Sequence, residues 1–206
     1  MGLYEKYLLP PLLTKVMSAK PITYQRKKVV PLAEGRVLEI GIGAGHNIPF
    51  YNRAKVSSVI GLEPSHAMRV RAEARAKEAG LPVEFIELEA EAIPLADKSV
   101  DTVLVTYTLC TIPDALAALS GMGRVLKPGG KLIFCEHGKA PDEGVRKWQS
   151  RIEPVWRRIA GGCHLTRDIP HLLHEGGFSI DKMETMYLPS TPRFAGFNYW
   201  GVAQRA

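Results

Sequence analysis

Short apolar runs alternate along this chain with longer stretches whose apolar positions recur at helical spacing. Val37-Leu38-Glu39-Ile40, Val56 to Leu62, Val83-Glu84-Phe85-Ile86, Val103 to Val105 and Leu132-Ile133-Phe134 are rich in β-branched and aromatic side chains and predict strands. The helix predicted from Pro113 to Leu126 puts Leu116, Leu119 and Met122 on one core face and ends at Pro128-Gly129-Gly130, since neither residue type continues a helix. Alternation through residue 137 predicts a parallel sheet with helices on both faces. Residues 141 to 163 break it as an amphipathic insertion, with Trp148, Ile152, Val155, Trp156 and Ile159 apolar among Arg146, Lys147, Arg151, Arg157 and Arg158. A further helix is expected from Thr166-Arg167-Asp168 to Gly176-Gly177. Phe178-Ser179-Ile180 then leads into a last β pair, 181–187 with 196–203. Residues 1 to 30 read as two short helical pieces interrupted at Pro10-Pro11 and Pro21, with Leu3, Tyr4, Tyr7, Leu8, Leu12, Leu13, Val16 and Met17 near helical spacing.

The first strand runs into Gly41-Ile42-Gly43-Ala44-Gly45. Glycine has no Cβ and tolerates positive φ, so a strand that ends in alternating glycines makes a tight turn where backbone can touch a ligand. In a doubly wound sheet, ligands sit beyond the carboxyl ends of the strands. Glu63 ends the second strand about 20 residues past the glycines, where a carboxylate grips a ribose hydroxyl pair. A second reading of Glu63 is that it helps to start the helix after Pro64, with Ser65 as the N-cap.

The spacing is not the dinucleotide G-x-G-x-x-G. Glu39-Ile40-Gly41-Ile42-Gly43-Ala44-Gly45 reads E-x-G-x-G-x-G and resembles the first motif of the class I S-adenosylmethionine methyltransferases. Leu126-Lys127-Pro128-Gly129-Gly130-Lys131-Leu132 is similar to a later, architectural motif of the same family, so the resemblance covers residues 37–137. It implies a Rossmann-like α/β fold, doubly wound, of about seven strands with a C-terminal antiparallel hairpin. It also implies S-adenosyl-L-methionine as cofactor, held by Glu39, Gly41, Gly43, Gly45, Asn47, Glu63, Pro64, Thr106 and Tyr107. Glu89 would accept from the adenine amine and the Ala90 N–H would donate to the ring, although the family more often has Asp where this chain has Glu89. The division is then one domain over 1–206: a helical lid (1–30), a cofactor-binding core (36–137), the insertion (141–163), and a C-terminal helix and strand pair (164–206).

The length of 206 residues suits one domain with a substantial core. A net charge of +6 serves solubility, and no dense basic run with interleaved aromatics marks a nucleic-acid face. Cys110, Cys135 and Cys163 lie far apart without paired zinc spacing, so no metal site is expected and a reducing, cytoplasmic setting fits. No secretory signal is read, and Lys6 stands where a myristoylation motif needs Ser or Thr. The N-terminal helices are read as a lid over the cofactor. The rival reading is a peripheral membrane helix with Lys6, Lys15 and Lys20 at lipid head groups, disfavoured because Pro10-Pro11 interrupts its apolar face.

Methyl transfer demands alignment and exclusion of water more than catalytic side chains. Thr106-Tyr107-Thr108-Leu109-Cys110, Glu136-His137 and parts of 145–167 are expected around the acceptor, with Tyr107 and Cys110 lining the cofactor pocket. His137 is the candidate general base. Glu136-His137, Trp148-Gln149, Glu153-Pro154-Val155-Trp156 and Gly162 to Arg167 are similar to a branch that includes the animal thiol methyltransferases, which implies a small acceptor, a thiol or phenol. Quinone or phospholipid head-group methylation is the alternative. From other classes stand a nucleotide-dependent oxidoreductase and a cofactor-binding, RNA-associated protein. The oligomeric state is left open.

Overall fold

The computed structural model describes residues 7–206. Seven strands form one sheet: β1 (Gly35–Ile40), β2 (Val56–Leu62), β3 (Val83–Ile86), β4 (Val100–Thr106), β5 (Leu126–His137), β6 (Phe178–Tyr187) and β7 (Phe197–Arg205). Their order is β3-β2-β1-β4-β5-β7-β6. β1 to β5 pair in parallel, while β7 lies antiparallel to both β5 and β6, which is the expected doubly wound sheet with its closing hairpin. The strand order reverses between β1 and β4, so their carboxyl ends open the crevice where such sheets take ligands.

Side chains alternate across the central strands as a two-residue period requires. Leu38, Ile40, Val103, Val105, Leu132 and Phe134 join one core, together with Leu119 and Met122 of α4 (Ala115–Val125) and Ile169 and Leu173 of α6 (Ile169–Glu175). Val37, Leu104, Ile133 and Cys135 join the other, with Val29 of α2 (Lys20–Val29) and Ala72 and Ala76 of α3 (His66–Ala79). Each fully buried Leu or Phe among them stabilises the fold by about 1.5–3 kcal/mol, which explains why these strands read as nearly continuous apolar runs.

Four local expectations are corrected. α4 stops at Val125, and Lys127 to Gly130 bulge out within the start of β5, whose register jumps from Val100↔Leu126 to Thr102↔Lys131. Leu116 is exposed because the buried stripe runs through Ala115, Ala118, Leu119 and Met122 instead. Pro10, Pro11 and Pro21 begin α1 (Leu9–Met17) and α2 rather than interrupt them, since the N–H that Pro lacks has no partner in a first turn anyway. In α5 (Glu143–Ile159), Trp148 and Ile159 face outward, and the inward side centres on Gln149. The Gln149 amide donates to Gly138 O and Phe194 O and accepts from Ala140 N, all at 3.0 Å. Satisfying three buried backbone groups outweighs burying Trp148.

α1 packs beside the glycine turn: the Thr14 hydroxyl accepts from Arg71 at 2.8 Å and meets Met68 Sδ at 3.8 Å. Leu3, Tyr4 and Lys6 of the expected lid lie outside the described residues. Among the described residues no helix is long and apolar enough to cross a membrane.

Candidate active site

All three glycines after β1 are left-handed, with φ of 64° at Gly41, 57° at Gly43 and 76° at Gly45. Two are also forced by packing. A Cβ on Gly41 would collide with the Thr108 side chain, and one on Gly45 would stand 2.7 Å from Ile48 Cδ1 and 3.0 Å from Ala72 Cα. Gly43 differs, because its nearest neighbours, Gly41 O and Met68 Cε, are 3.8 Å away. A Cβ on Gly43 would thus make only ordinary contacts, and the turn leaves room over this residue as a cradle. Glu63 borders it, with Oε2 accepting from Gly43 N at 3.0 Å and Oε1 from Ser65 N at 2.9 Å. Burial raises the Glu63 pKa against those two hydrogen bonds. A carboxylate has about four acceptor positions, so about two remain for a diol. The Ser65 hydroxyl makes no cap bond, so the expected N-cap is corrected: Glu63 itself holds the Ser65 N–H at the helix start. Pro64 and Glu89 are exposed, Ala90 is buried, and Glu89 is near enough to Glu63 for its charge to be felt there.

Glu39, Asn47 and Thr106 lie beneath the turn. Glu39 accepts from Asn47 Nδ2 at 2.8 Å and from Tyr51 OH at 2.5 Å. Arg26 reaches in from α2 to donate to Asn47 Oδ1 at 2.6 Å and Thr106 Oγ1 at 2.9 Å. Burial pushes Glu39 up to about 7, against the hydrogen bonds from Tyr51 and Asn47 and the charge of Arg26. These three expected cofactor contacts form a buried network that fixes the turn's shape, and its anchors Arg26 and Tyr51 were absent from the sequence-based candidates. Arg26 sits in a basic run that reads as surface, and only its place between apolar positions of α2 hints otherwise.

Tyr107 follows β4 at a φ of 55°, a strained setting for a residue with a Cβ. Its hydroxyl donates to Asn198 Oδ1 at 2.7 Å, and the Arg26 guanidinium lies 5.4 Å from its ring centre. The loop that it opens is held by two charged side chains. Glu136, wholly buried at the end of β5, accepts from Thr108 N at 2.8 Å and Leu109 N at 3.1 Å, while burial pushes its pKa up to about 7. Arg167 donates to Leu109 O and Ile112 O and clamps the loop.

The loops after β4, β5 and α5 converge to bring together Cys110, His137 and Cys163, their ligand atoms all within 4.8 Å of one another. The sequence spacing gave no sign of this. His137 Nε2 lies 2.9 Å from Cys163 Sγ, to which Trp156 Nε1 also donates at 3.3 Å. The Cys110 thiol donating to it, with His137 positive beside it, holds Cys163 well below the usual thiol range despite burial. The same hydrogen bond and burial raise Cys110. Burial pulls His137 down, but the Cys163 charge outweighs it and the net shift is upward. With Nε2 engaged, His137 Nδ1 is buried and unpartnered; it carries a proton while the ring is positive and can accept one only when the ring is neutral. Cys110 belongs to this cluster rather than to the glycine turn, and Cys135 stays in the core, its thiol pushed up to about 12 by burial.

Residues 38–134 match the family model described as a methyltransferase domain. The human (Homo sapiens) thiol S-methyltransferase TMT1B is 34% identical over 193 residues, covering 88% of this chain and 78% of that protein. The chain belongs to the class I S-adenosylmethionine-dependent methyltransferases. A phosphatidylethanolamine N-methyltransferase of Cereibacter sphaeroides is 34% identical over 124 residues, 58% of this chain and 60% of that one. A solved SAM-dependent methyltransferase of Leishmania major shares the fold at a TM-score of 0.70 and 17% identity, covering 96% of this chain and 79% of that one. S-adenosylmethionine is accordingly the cofactor of this methyltransferase, and the cradle over Gly43 with the spare acceptor positions of Glu63 fits it.

Proposed function

We propose that this methyltransferase methylates the sulfur of a small, partly apolar thiol. One observation carries the reading: Cys110, His137 and Cys163 gather where β4 and β5 end, next to the loop whose Thr108 packs on Gly41. An imidazole at that place suits an acceptor that must reach its anionic form, and a thiol with a pKa of about 8.5 does so near neutral pH. The similarity to the thiol methyltransferase TMT1B supports it. Glu63, Pro64, Glu89 and Ala90 hold the ribose and adenine ends, the turn from Gly41 to Gly45 holds the rest, and the network of Glu39, Asn47 and Thr106 keeps that turn in shape. S-adenosylmethionine, when bound, supplies a methyl carbon activated by its sulfonium. The chain's own residues align the acceptor and exclude water, and His137, in its neutral form, takes the acceptor's proton. α1 and α2 serve as the lid. A reducing, cytoplasmic setting is part of the same proposal.

A second reading, methylation of an amino head group, draws on the similarity to the phosphatidylethanolamine enzyme. Release of S-adenosylhomocysteine from a panel of thiols, phenolic quinone precursors and amino head groups separates the two. Turnover on thiols at least about tenfold above amines is expected, because an ammonium must lose a proton held far more tightly. Activity confined to amines contradicts the proposal.

A further inference from the structure

The cluster at the end of β5 carries more ligand chemistry than a proton transfer needs. Two cysteine sulfurs and one imidazole nitrogen are a donor set that zinc takes, and a three-ligand zinc site keeps its fourth position for water or substrate. Tetrahedral coordination, with Zn–S at about 2.3 Å and Zn–N at about 2.05 Å, sets ligand atoms about 3.6–3.8 Å apart. His137 Nε2 and Cys163 Sγ, now 2.9 Å apart, would have to open by only about 0.7 Å to meet it.

We propose that Cys110, His137 and Cys163 bind a zinc ion through two sulfurs and one ring nitrogen, and that its fourth position takes the sulfur of the acceptor. The surroundings hold the ligands in place before the ion arrives. Glu136 and Arg167 fix the loop that carries Cys110, and His164 N donates to Cys110 O at 2.8 Å, tying that loop to the segment of Cys163. Trp156 Nε1 supports the Cys163 sulfur as outer-shell donors support metal thiolates. His137 Nδ1 and Glu136 Oε2 are buried without hydrogen-bond partners, unusual for polar atoms in a finished core. Among the described residues no further His, Cys, Asp or Glu joins the group, so the protein supplies three ligands and not the four of a closed structural site.

The chemistry balances without any change of oxidation state. The S–H bond of the acceptor breaks, its proton leaves to solvent, and the sulfur's electron pair forms the bond to zinc. Two thiolates and a neutral imidazole cancel the charge of the ion, so a third sulfur leaves the site anionic and that sulfur nucleophilic. His137 is then a ligand and not a base, which replaces the role given to it above. This inference rests on the proposed thiol acceptor and goes beyond it in naming what holds the sulfur.

The test begins with the full chain purified without chelator from zinc-supplemented cells. Elemental analysis is expected to find about one zinc per chain, falling at least about tenfold in Cys110→Ser, Cys163→Ser and His137→Ala, each of which keeps its thermal shift with S-adenosylmethionine. Cobalt-loaded wild-type protein needs no variant: it should show a thiolate-to-cobalt absorption band that moves on adding a thiol and stays put on adding a phenol. Zinc-free wild type with no cobalt band, or a Cys110–Cys163 disulfide found in its place, overturns the inference. Thiol methylation that persists after the ion is removed also overturns it and leaves the proposed function standing. A zinc-loaded chain whose cobalt band answers to thiols but which methylates only amines overturns the proposed function and leaves the ion site standing.

Discussion

At the carboxyl end of β1 the site is made of backbone: three glycines at positive φ and the N–H groups of Gly43 and Ser65 on one carboxylate. At the carboxyl end of β5 it is made of side chains, Cys110, His137 and Cys163, contributed by three segments distant in sequence. The first region needs particular residues at fixed offsets because the main chain itself makes the contacts. The second needs only that three loops end in the same place. A cofactor cradle of the first kind suits a ligand common to a whole family, and a side-chain cluster of the second kind can be exchanged to suit one acceptor.

The two regions should separate cleanly under mutation, and the largest effect expected is on the cofactor side. Glu63→Ala removes the carboxylate proposed to grip the ribose and its bond to Gly43 N, so calorimetric affinity for S-adenosylmethionine should fall about 100-fold or more. Cys163→Ser should change that affinity by no more than about threefold. Equal losses from the two variants would show that the regions are not independent.

Gly43→Ala sharpens the cofactor half of the comparison. The added methyl clashes with no protein atom, its nearest neighbours being 3.8 Å away, so the cost in stability should be only the left-handed strain of about 1–2 kcal/mol. Affinity for the cofactor should drop about tenfold beyond that, because the methyl fills the cradle. A variant that loses stability and keeps its affinity would place the ligand elsewhere.

The smallest effect concerns the network under the turn. Burial disfavours the charge of Glu39 and pushes its carboxyl up to about 7 from its ordinary 4.5. The folded chain therefore holds this proton more tightly than the unfolded one. The stability it lends is present below pH 4.5 and is lost as pH rises toward about 7. Glu39→Gln removes that titration, so its melting temperature relative to wild type should climb across the same window. A difference that is flat with pH would mean that Glu39 is ionised throughout.

Legibility from sequence followed the same division. The parallel sheet and the glycine turn were readable because strand periodicity and turn chemistry are local, and the closing hairpin came with the family resemblance. The cysteine cluster was not, since nothing in the spacing of positions 110, 137 and 163 brings them together until the sheet folds. Arg26 went unread and Trp148 was read on the wrong face. A charged side chain was buried because Asn47 and Thr106 await it, and a tryptophan was left outside because Gln149 answers three backbone groups. In both places hydrogen-bond satisfaction overrode hydrophobicity.

The central claim is that this methyltransferase acts on sulfur, and competition tests it most directly. A thiol, a phenol and a primary amine built on the same carbon frame are mixed in equal amounts with S-adenosylmethionine carrying a deuterated methyl group, and the products are read by mass spectrometry. The account predicts the label predominantly on sulfur. Label predominantly on nitrogen or oxygen would contradict it.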